Sequence, residues 1–126
     1  MKLVHRITRG SLPTSEYDLV NNAGEAIGYA QLRHRPSCSD ELPPAAANHV
    51  YYRIGEAHRG RGYGKALLRL VLDEARRIGL ERVRLTVDDS NPTSRHIVEG
   101  AGGVLVAEFM RTTGERCRLF EIGLNP

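Results

Sequence analysis

The feature that most constrains this chain is a basic, glycine-rich segment between a predicted strand and a predicted helix. The segment reads His58-Arg59-Gly60-Arg61-Gly62-Tyr63-Gly64-Lys65-Ala66. Residues 49–54 before it are rich in Tyr and Val, which is typical of a strand. After it, apolar residues recur at helical spacing up to residue 78. Because the first N–H groups of a helix lack backbone acceptors, such a junction favours an anion.

The other predicted elements indicate an α/β fold with a mixed sheet, which can also be classed as α+β. Alternating apolar residues predict a strand at 83–88, so residues 49–88 form a strand-helix-strand unit with parallel pairing. Asn91 is predicted to cap a second helix whose first residue is Pro92. Further strands are predicted at residues 2–8, 17–20, 27–33, 104–108 and 117–124, with a hairpin turn at 21–24 and a long loop at 36–47.

Length and composition fit one domain over residues 1–126, with 40% hydrophobic and 26% charged residues. No apolar run is long enough to cross a bilayer and the first residues lack a signal-peptide core, so we expect a cytoplasmic protein without a membrane partner. Cys38 and Cys117 are expected to be two free thiols. The sequence predicts no metal cofactor.

The charge distribution favours a small polyanionic ligand over nucleic acid. The formal net charge is +3, but the arginines are dispersed except at Arg59, Arg61 and Lys65. An aromatic content of 6% without Trp offers little for base stacking. The sequence therefore does not predict a nucleic-acid partner, and a basic nucleic-acid binder is the alternative.

Two well-known phosphate motifs do not fit the segment. The dinucleotide fingerprint G-x-G-x-x-G requires a third glycine where Lys65 stands. The Walker A loop requires a hydroxyl residue where Ala66 stands, and a first glycine where Arg59 stands.

What the segment does match is Arg59-x-x-Gly62-x-Gly64, which resembles the acyl-CoA pyrophosphate signature of the GNAT superfamily of N-acetyltransferases. The resemblance implies the GNAT fold, acetyl-CoA as co-substrate and transfer of its acetyl group to an amine. The alternative is a purely structural glycine-rich turn. The implied coenzyme-binding residues are Ile54, Arg59, Gly60, Arg61, Gly62, Tyr63, Gly64, Lys65, Asn91 and Ser94.

A second patch, residues 88–99, resembles the family's segment after its fifth strand, where an Asn begins a helix and touches the pantetheine arm. By this match the residue is Asn91, with Ser94 one turn later. The alternative is that Asn91 is an N-cap only. The family often protonates the departing thiolate with a Tyr, but the matching position here is Val98. Tyr51, Tyr52 or a water molecule would have to protonate the thiolate instead.

The resemblance also implies that the strands at 49–54 and 83–88 splay apart, with the pantetheine arm paired to the edge of the first. A neutral amine would then attack the thioester directly, which requires a base or a water chain. His49 and Glu56 are the candidate bases by position. The alternatives are that His49 makes an ordinary strand-edge hydrogen bond and that Glu56 is solvated.

The N-terminal region departs from the family, whose members usually carry one or two helices between the first two strands. Here only residues 9–16 separate the predicted strands, so the acceptor site should be unusually open. A second subunit in a homodimer, or residues 36–47, could complete it. The acceptor is expected to be a small-molecule or peptide amine. A rival interpretation is an acetyl-CoA-sensing module without turnover.

Overall fold

The computed structural model describes residues 1–9, 13–34 and 48–124, and these form seven strands and two α-helices. The strands are β1 (Lys2–Arg9), β2 (Thr14–Val20), β3 (Ala26–Arg33), β4 (Val50–Ile54), β5 (Arg82–Asp88), β6 (Val104–Met110) and β7 (Arg116–Gly123). The helices are α1 (Tyr63–Arg77) and α2 (Pro92–Gly100), and a 3-10 turn spans Glu56–His58. Every predicted strand and helix is thereby confirmed, with ends that differ by up to three residues.

The strands form two antiparallel sheets, in the orders β1-β2-β3-β4 and β5-β7-β6. In the first, Tyr17 lies opposite Ala30, which in turn lies opposite Tyr52. In the second, Leu85 lies opposite Phe120. Because side chains alternate between the faces of a strand, this register places one apolar set of each sheet on the same side, toward the helices.

The two sheets are joined near the start of β4 and β5. The His49 N–H donates to the Arg84 carbonyl at 2.7 Å, and beyond this point no β4–β5 ladder is recorded within the described residues. The parallel pairing that we expected of the strand-helix-strand unit is therefore wrong for most of its length. The strands diverge instead, which is the splayed arrangement that the family resemblance implies.

Helix α1 packs on the first sheet, against β3 and β4, and also contacts α2. Its fully buried positions follow the helical repeat, since Leu67, Leu68, Val71 and Ala75 are at most 1% exposed. The helix begins after Gly62 and ends before Gly79, and both glycines have positive φ, of 81° and 91°. The position of this helix thus fixes where the glycine-rich segment lies.

Helix α2 is positioned by its cap and by a buried valine. The Asn91 side chain accepts a hydrogen bond from the Ser94 N–H at 3.1 Å, so the predicted N-cap is confirmed. Val98 is fully buried in the core. The chain leaves the helix through Gly103, whose N–H donates to the Val98 carbonyl at 2.9 Å. The end of α2 is therefore packed too tightly for a side chain at this glycine.

The N-terminal strands form a simple antiparallel hairpin. Only residues 10–13 separate β1 from β2. Four residues are enough for about one turn of helix, so this connection is too short for the helices that the family usually carries there. No helix of the described residues lies on the face of the first sheet opposite α1. The predicted loop at 36–47 and Cys38 lie outside the described residues. Cys117 is a buried free thiol, as predicted.

None of the helices in the described ranges is long and apolar enough to cross a membrane.

The crowding at Gly103 gives a stability prediction. A Cβ at this position would lie 2.6 Å from Val98 Cγ1 and 2.7 Å from its carbonyl oxygen. Gly103→Ala should therefore lower the free energy of unfolding by about 1–3 kcal/mol in urea denaturation. Gly100→Ala is the control, because no atom lies within 4 Å of its Cβ position. This control should be neutral or stabilising by up to about 1 kcal/mol. Equal losses in both variants would contradict the packing described here.

Candidate functional site

The glycine-rich segment forms an open anion-binding start to α1. The first intrahelical bond joins the Ala66 N–H to the Gly62 carbonyl at 3.3 Å, so the three preceding N–H groups point out of the helix. Gly62 takes the N-cap position without a side-chain cap. Gly60 and Gly62 have φ near 80°, and no atom lies within 4 Å of either Cβ position. An anion can therefore approach the backbone without meeting a side chain.

Three cations surround this helix start. Arg59, Arg61 and Lys65 are exposed, and within the described residues none of them forms an ion pair. The Arg59 Nε donates to the Ile54 carbonyl at 3.2 Å, which ties this side chain to the end of β4. Tyr63, one of the coenzyme-binding residues that the resemblance implies, is partly buried and packs against the core. Unpaired cations beside free N–H groups suit a ligand of more than one negative charge.

A groove of about 340 Å³ continues from the helix start along the space between the two helices. Its described lining residues are Gly62, Lys65, Ala66, Leu68, Arg69, Leu72, Arg76, Ile97, Gly100 and Ala101. The groove combines an apolar floor with basic side chains at its rim. An extended ligand with phosphates at one end would be accommodated here.

Gly64 is held where the helix start meets α2. A Cβ at this position would lie 3.1 Å from Ile97 Cδ1 and 3.9 Å from Tyr52 Cε2. The close approach of α1, α2 and β4 at this point depends on the missing side chain.

A partly buried hydrogen bond links β4 to the start of α2. The Tyr52 hydroxyl and Ser94 Oγ lie 3.0 Å apart. Burial raises the pKa of Tyr52, and the hydrogen bond with Ser94 opposes that rise only in part. The phenol therefore stays protonated through neutral pH and can act as a donor.

His49 lies at the point where the strands part. It is only 1% exposed, and its Nδ1 accepts a hydrogen bond from the Arg84 N–H at 3.1 Å. In this arrangement a neutral ring carries its proton on Nε2. The ring could therefore act as a base only through Nδ1, after the bond to β5 opens. Glu56, the other candidate base, lies exposed in the turn after β4.

A second cleft, which the sequence did not predict, opens on the sheet face opposite α1. It has a volume of about 270 Å³ and lies at the start of β4. Its described lining residues are Gln31, Arg33, Asn48, His49, Val50, Tyr51, Thr86 and Arg111. These residues are spread over four parts of the chain, and only the sheet order brings them together. No local motif could have revealed them.

Comparison with known proteins identifies the family of this chain. The model of the acetyltransferase (GNAT) family matches residues 5–102. The chain belongs to the GNAT family. The match includes both the glycine-rich segment and the Asn91 helix.

A curated relative is an uncharacterised N-acetyltransferase of Bacillus subtilis, YdgE. It is 28% identical over 96 residues, which cover 75% of this chain and 58% of the relative. The chain thus spans a little over half of that protein's length.

Solved structures of similar fold include the spermidine N-acetyltransferase of Vibrio cholerae in complex with CoA and spermine. Its TM-score is 0.70 at 19% identity, covering 88% of this chain and 66% of that one. A proposed phosphinothricin N-acetyltransferase matches with a TM-score of 0.68 at 20% identity, covering 94% of this chain and 72% of that one. At such identities these likenesses establish the fold alone.

The GNAT family uses acetyl-CoA, and the residues present suit it. The helix start with its three cations fits a pyrophosphate, and the groove between the helices fits the remainder of an extended nucleotide.

A pair of glycine variants at the two ends of α1 tests the phosphate site. Gly62→Val and Gly79→Val both force a branched side chain to a positive φ where space is open. Both should lose stability, but only Gly62→Val should weaken CoA binding, by about tenfold or more, because its side chain enters the anion site. Calorimetric titration measures the affinity and circular dichroism checks folding. Unchanged affinity in a folded Gly62→Val protein would place the phosphates elsewhere.

Proposed function

We propose that this chain is an N-acetyltransferase that moves the acetyl group of acetyl-CoA to a primary amine by direct attack in a ternary complex. The observation that carries the proposal is the anion-binding start of α1, which follows the edge strand β4 in the chain and opens into a groove between α1 and α2. A pyrophosphate there and an extended arm along β4 would bring an acyl group to the point where the strands part.

The main chain of β4 would hold the pantetheine arm as an added strand. β4 is the last strand of its sheet, so one edge of its backbone has no strand partner beyond His49 in the described residues. Extended ligands bind such edges through main-chain hydrogen bonds. We propose that residues 52–55 of β4 and the turn after it make these bonds, with Asn91 and Ser94 closing the arm from α2.

Tyr52 is our candidate for the proton donor to the departing sulfur. Its hydroxyl lies between β4 and the start of α2, and its raised pKa keeps it protonated. The family's usual position for this group is Val98, which here belongs to the core and has no proton to give. Tyr52 lies on β4 and is joined by its hydroxyl to Ser94 of α2, the helix that carries Val98.

For proton removal from the amine, the geometry favours water over His49. The Nδ1 lone pair of His49 is engaged with the Arg84 N–H. We therefore propose that His49 is a positioning residue that fixes the distance between β4 and β5. Water would take the proton from the amine, and a chain of waters would pass it to exposed Glu56.

The acceptor is a small-molecule or peptide amine. The names of the structural neighbours point to unlike acceptors, a polyamine in one and phosphinothricin in the other, so the shared fold does not choose between them. We also expect a homodimer. β6 is an edge strand with exposed Val104, Leu105 and Met110, which offer an apolar surface to a second copy.

A rival function is that of a CoA-binding sensor without turnover, which the valine at position 98 favours. Release of CoA thiol from acetyl-CoA in the presence of a panel of amines separates the two functions. An enzyme releases thiol in proportion to acetylated amine. A sensor binds acetyl-CoA with no amine-dependent release.

Variants of His49 then separate a base from a positioning residue. His49→Asn retains an acceptor for the Arg84 N–H, whereas His49→Ala does not. We expect His49→Asn to keep most of the wild-type kcat and the acidic limb of the pH–rate profile, and His49→Ala to lose both stability and activity. A general base contributes about 10²–10⁴-fold to the rate. A loss of that size in a stable His49→Asn enzyme, together with loss of the acidic limb, would identify His49 as the base.

A further inference from the structure

The cleft on the open face of the sheet has a chemical character that points to a class of acceptor. We propose that it binds the amine acceptor through an anionic group, so that the substrate is an amine that also carries a carboxylate, as an amino acid does. This inference rests on the proposed function for its reaction, but the binding preference can be measured without turnover.

The position of the cleft suits an acceptor. The side chains of Gln31, Arg33 and Tyr51 alternate with the buried Leu32 and therefore face away from α1. The coenzyme groove lies on the α1 side. His49 is in the lining of the cleft and also joins β4 to β5. A ligand in the cleft would thus reach the parting strands from the side opposite the coenzyme.

The charges in the cleft are positive. Two guanidinium groups, of Arg33 and Arg111, line it, and its described lining includes no carboxylate. Arg33 donates to the Asn48 carbonyl at 3.5 Å and has no ion pair within the described residues. Arg111 is held by Asp88 at 3.3 Å and keeps part of its charge exposed. A guanidinium without a carboxylate partner is a ready site for a ligand carboxylate.

Two carboxylates that are linked by hydrogen bonds to residues of the cleft are already engaged. The Tyr29 hydroxyl donates to Glu16 Oε1 at 2.5 Å and accepts from Gln31 Nε2 at 2.7 Å. Asp88 accepts from both Arg111 and the Cys117 thiol. Neither carboxylate is in the described lining, so a cationic acceptor would meet no counter-ion among the described residues of the cleft.

The uncharged polar groups of the cleft add donors. The Thr86 hydroxyl donates to Asn48 Oδ1 at 2.6 Å, which uses the amide oxygen and leaves the amide N–H groups as donors. Half-exposed Tyr51 forms a wall, with its ring edge-on to Tyr29 at 6.3 Å between centroids. Donors around an aromatic wall suit a carboxylate joined to an apolar body. They disfavour a polyamine, whose charges would meet two guanidinium groups.

The test compares each amino acid with the amine that lacks its carboxylate. The pairs are phenylalanine and phenethylamine, histidine and histamine, and lysine and cadaverine, with spermidine as the polyamine. Binding to the CoA-saturated protein is measured by calorimetry, and thiol release from acetyl-CoA is measured in parallel. We expect at least one amino acid to bind about tenfold or more tightly than its partner amine.

A variant assigns the preference to the cleft. Arg33→Gln should remove most of the tenfold difference and leave binding of the partner amine unchanged. Arg6→Gln is the control, since it removes the same charge from the same sheet face but lies outside the lining. CoA affinity should not change in either variant.

The outcomes are distinct for the two proposals. Tighter binding of spermidine or of the partner amines, or an amino-acid preference that survives Arg33→Gln, would overturn the acceptor proposal while CoA binding stood. An Arg33-dependent preference for amino acids without any thiol release would support the acceptor site and remove the enzymatic function. Absence of CoA binding would remove the proposed function, and an Arg33-dependent amino-acid preference in that protein would still support the cleft.

Discussion

The structure depends on a pair of hydrogen bonds between His49 and Arg84. The His49 N–H donates to the Arg84 carbonyl, and the His49 ring accepts the Arg84 N–H in return. These bonds join two antiparallel sheets at one point and leave β4 and β5 free to diverge. The proposed path of the pantetheine arm follows from this divergence, because it leaves the edge of β4 without a strand partner beyond His49 in the described residues.

The second constraint is the short N-terminal hairpin. Family members usually carry helices between their first two strands, whereas here only residues 10–13 separate β1 from β2. Among the described residues, the sheet face opposite α1 carries the cleft lined by Arg33 and Arg111. The short connection thus accompanies a basic cleft, which we propose as the acceptor site.

Much of the coenzyme side was predictable because its signals are local. The spacing of Arg59, Gly62 and Gly64 and the Asn91-Pro92 cap each lie within a few residues, so turn geometry and helix capping determine them. The divergence of β4 from β5 could not be derived from periodicity, since alternation is the same for a paired and an unpaired strand.

The acceptor side was not predictable, for a related reason. The residues of its cleft extend from Gln31 to Arg111, and only the sheet register places them side by side. His49 was found by its position in the sequence, but its bond to Arg84 depends on a strand 35 residues away. A histidine at a strand edge has the same sequence signature whether it abstracts a proton or holds two strands together.

The central claim is that the start of α1 binds the pyrophosphate of acetyl-CoA. Calorimetric titration of the wild-type chain with acetyl-CoA, repeated over a range of salt concentrations, tests it most directly. The account predicts saturable binding of one molecule per chain, with a Kd on the order of micromolar. Affinity should fall as salt rises, since exposed Arg59, Arg61 and Lys65 supply part of the attraction. The absence of heat at millimolar acetyl-CoA would contradict the account, and so would an affinity that salt does not change.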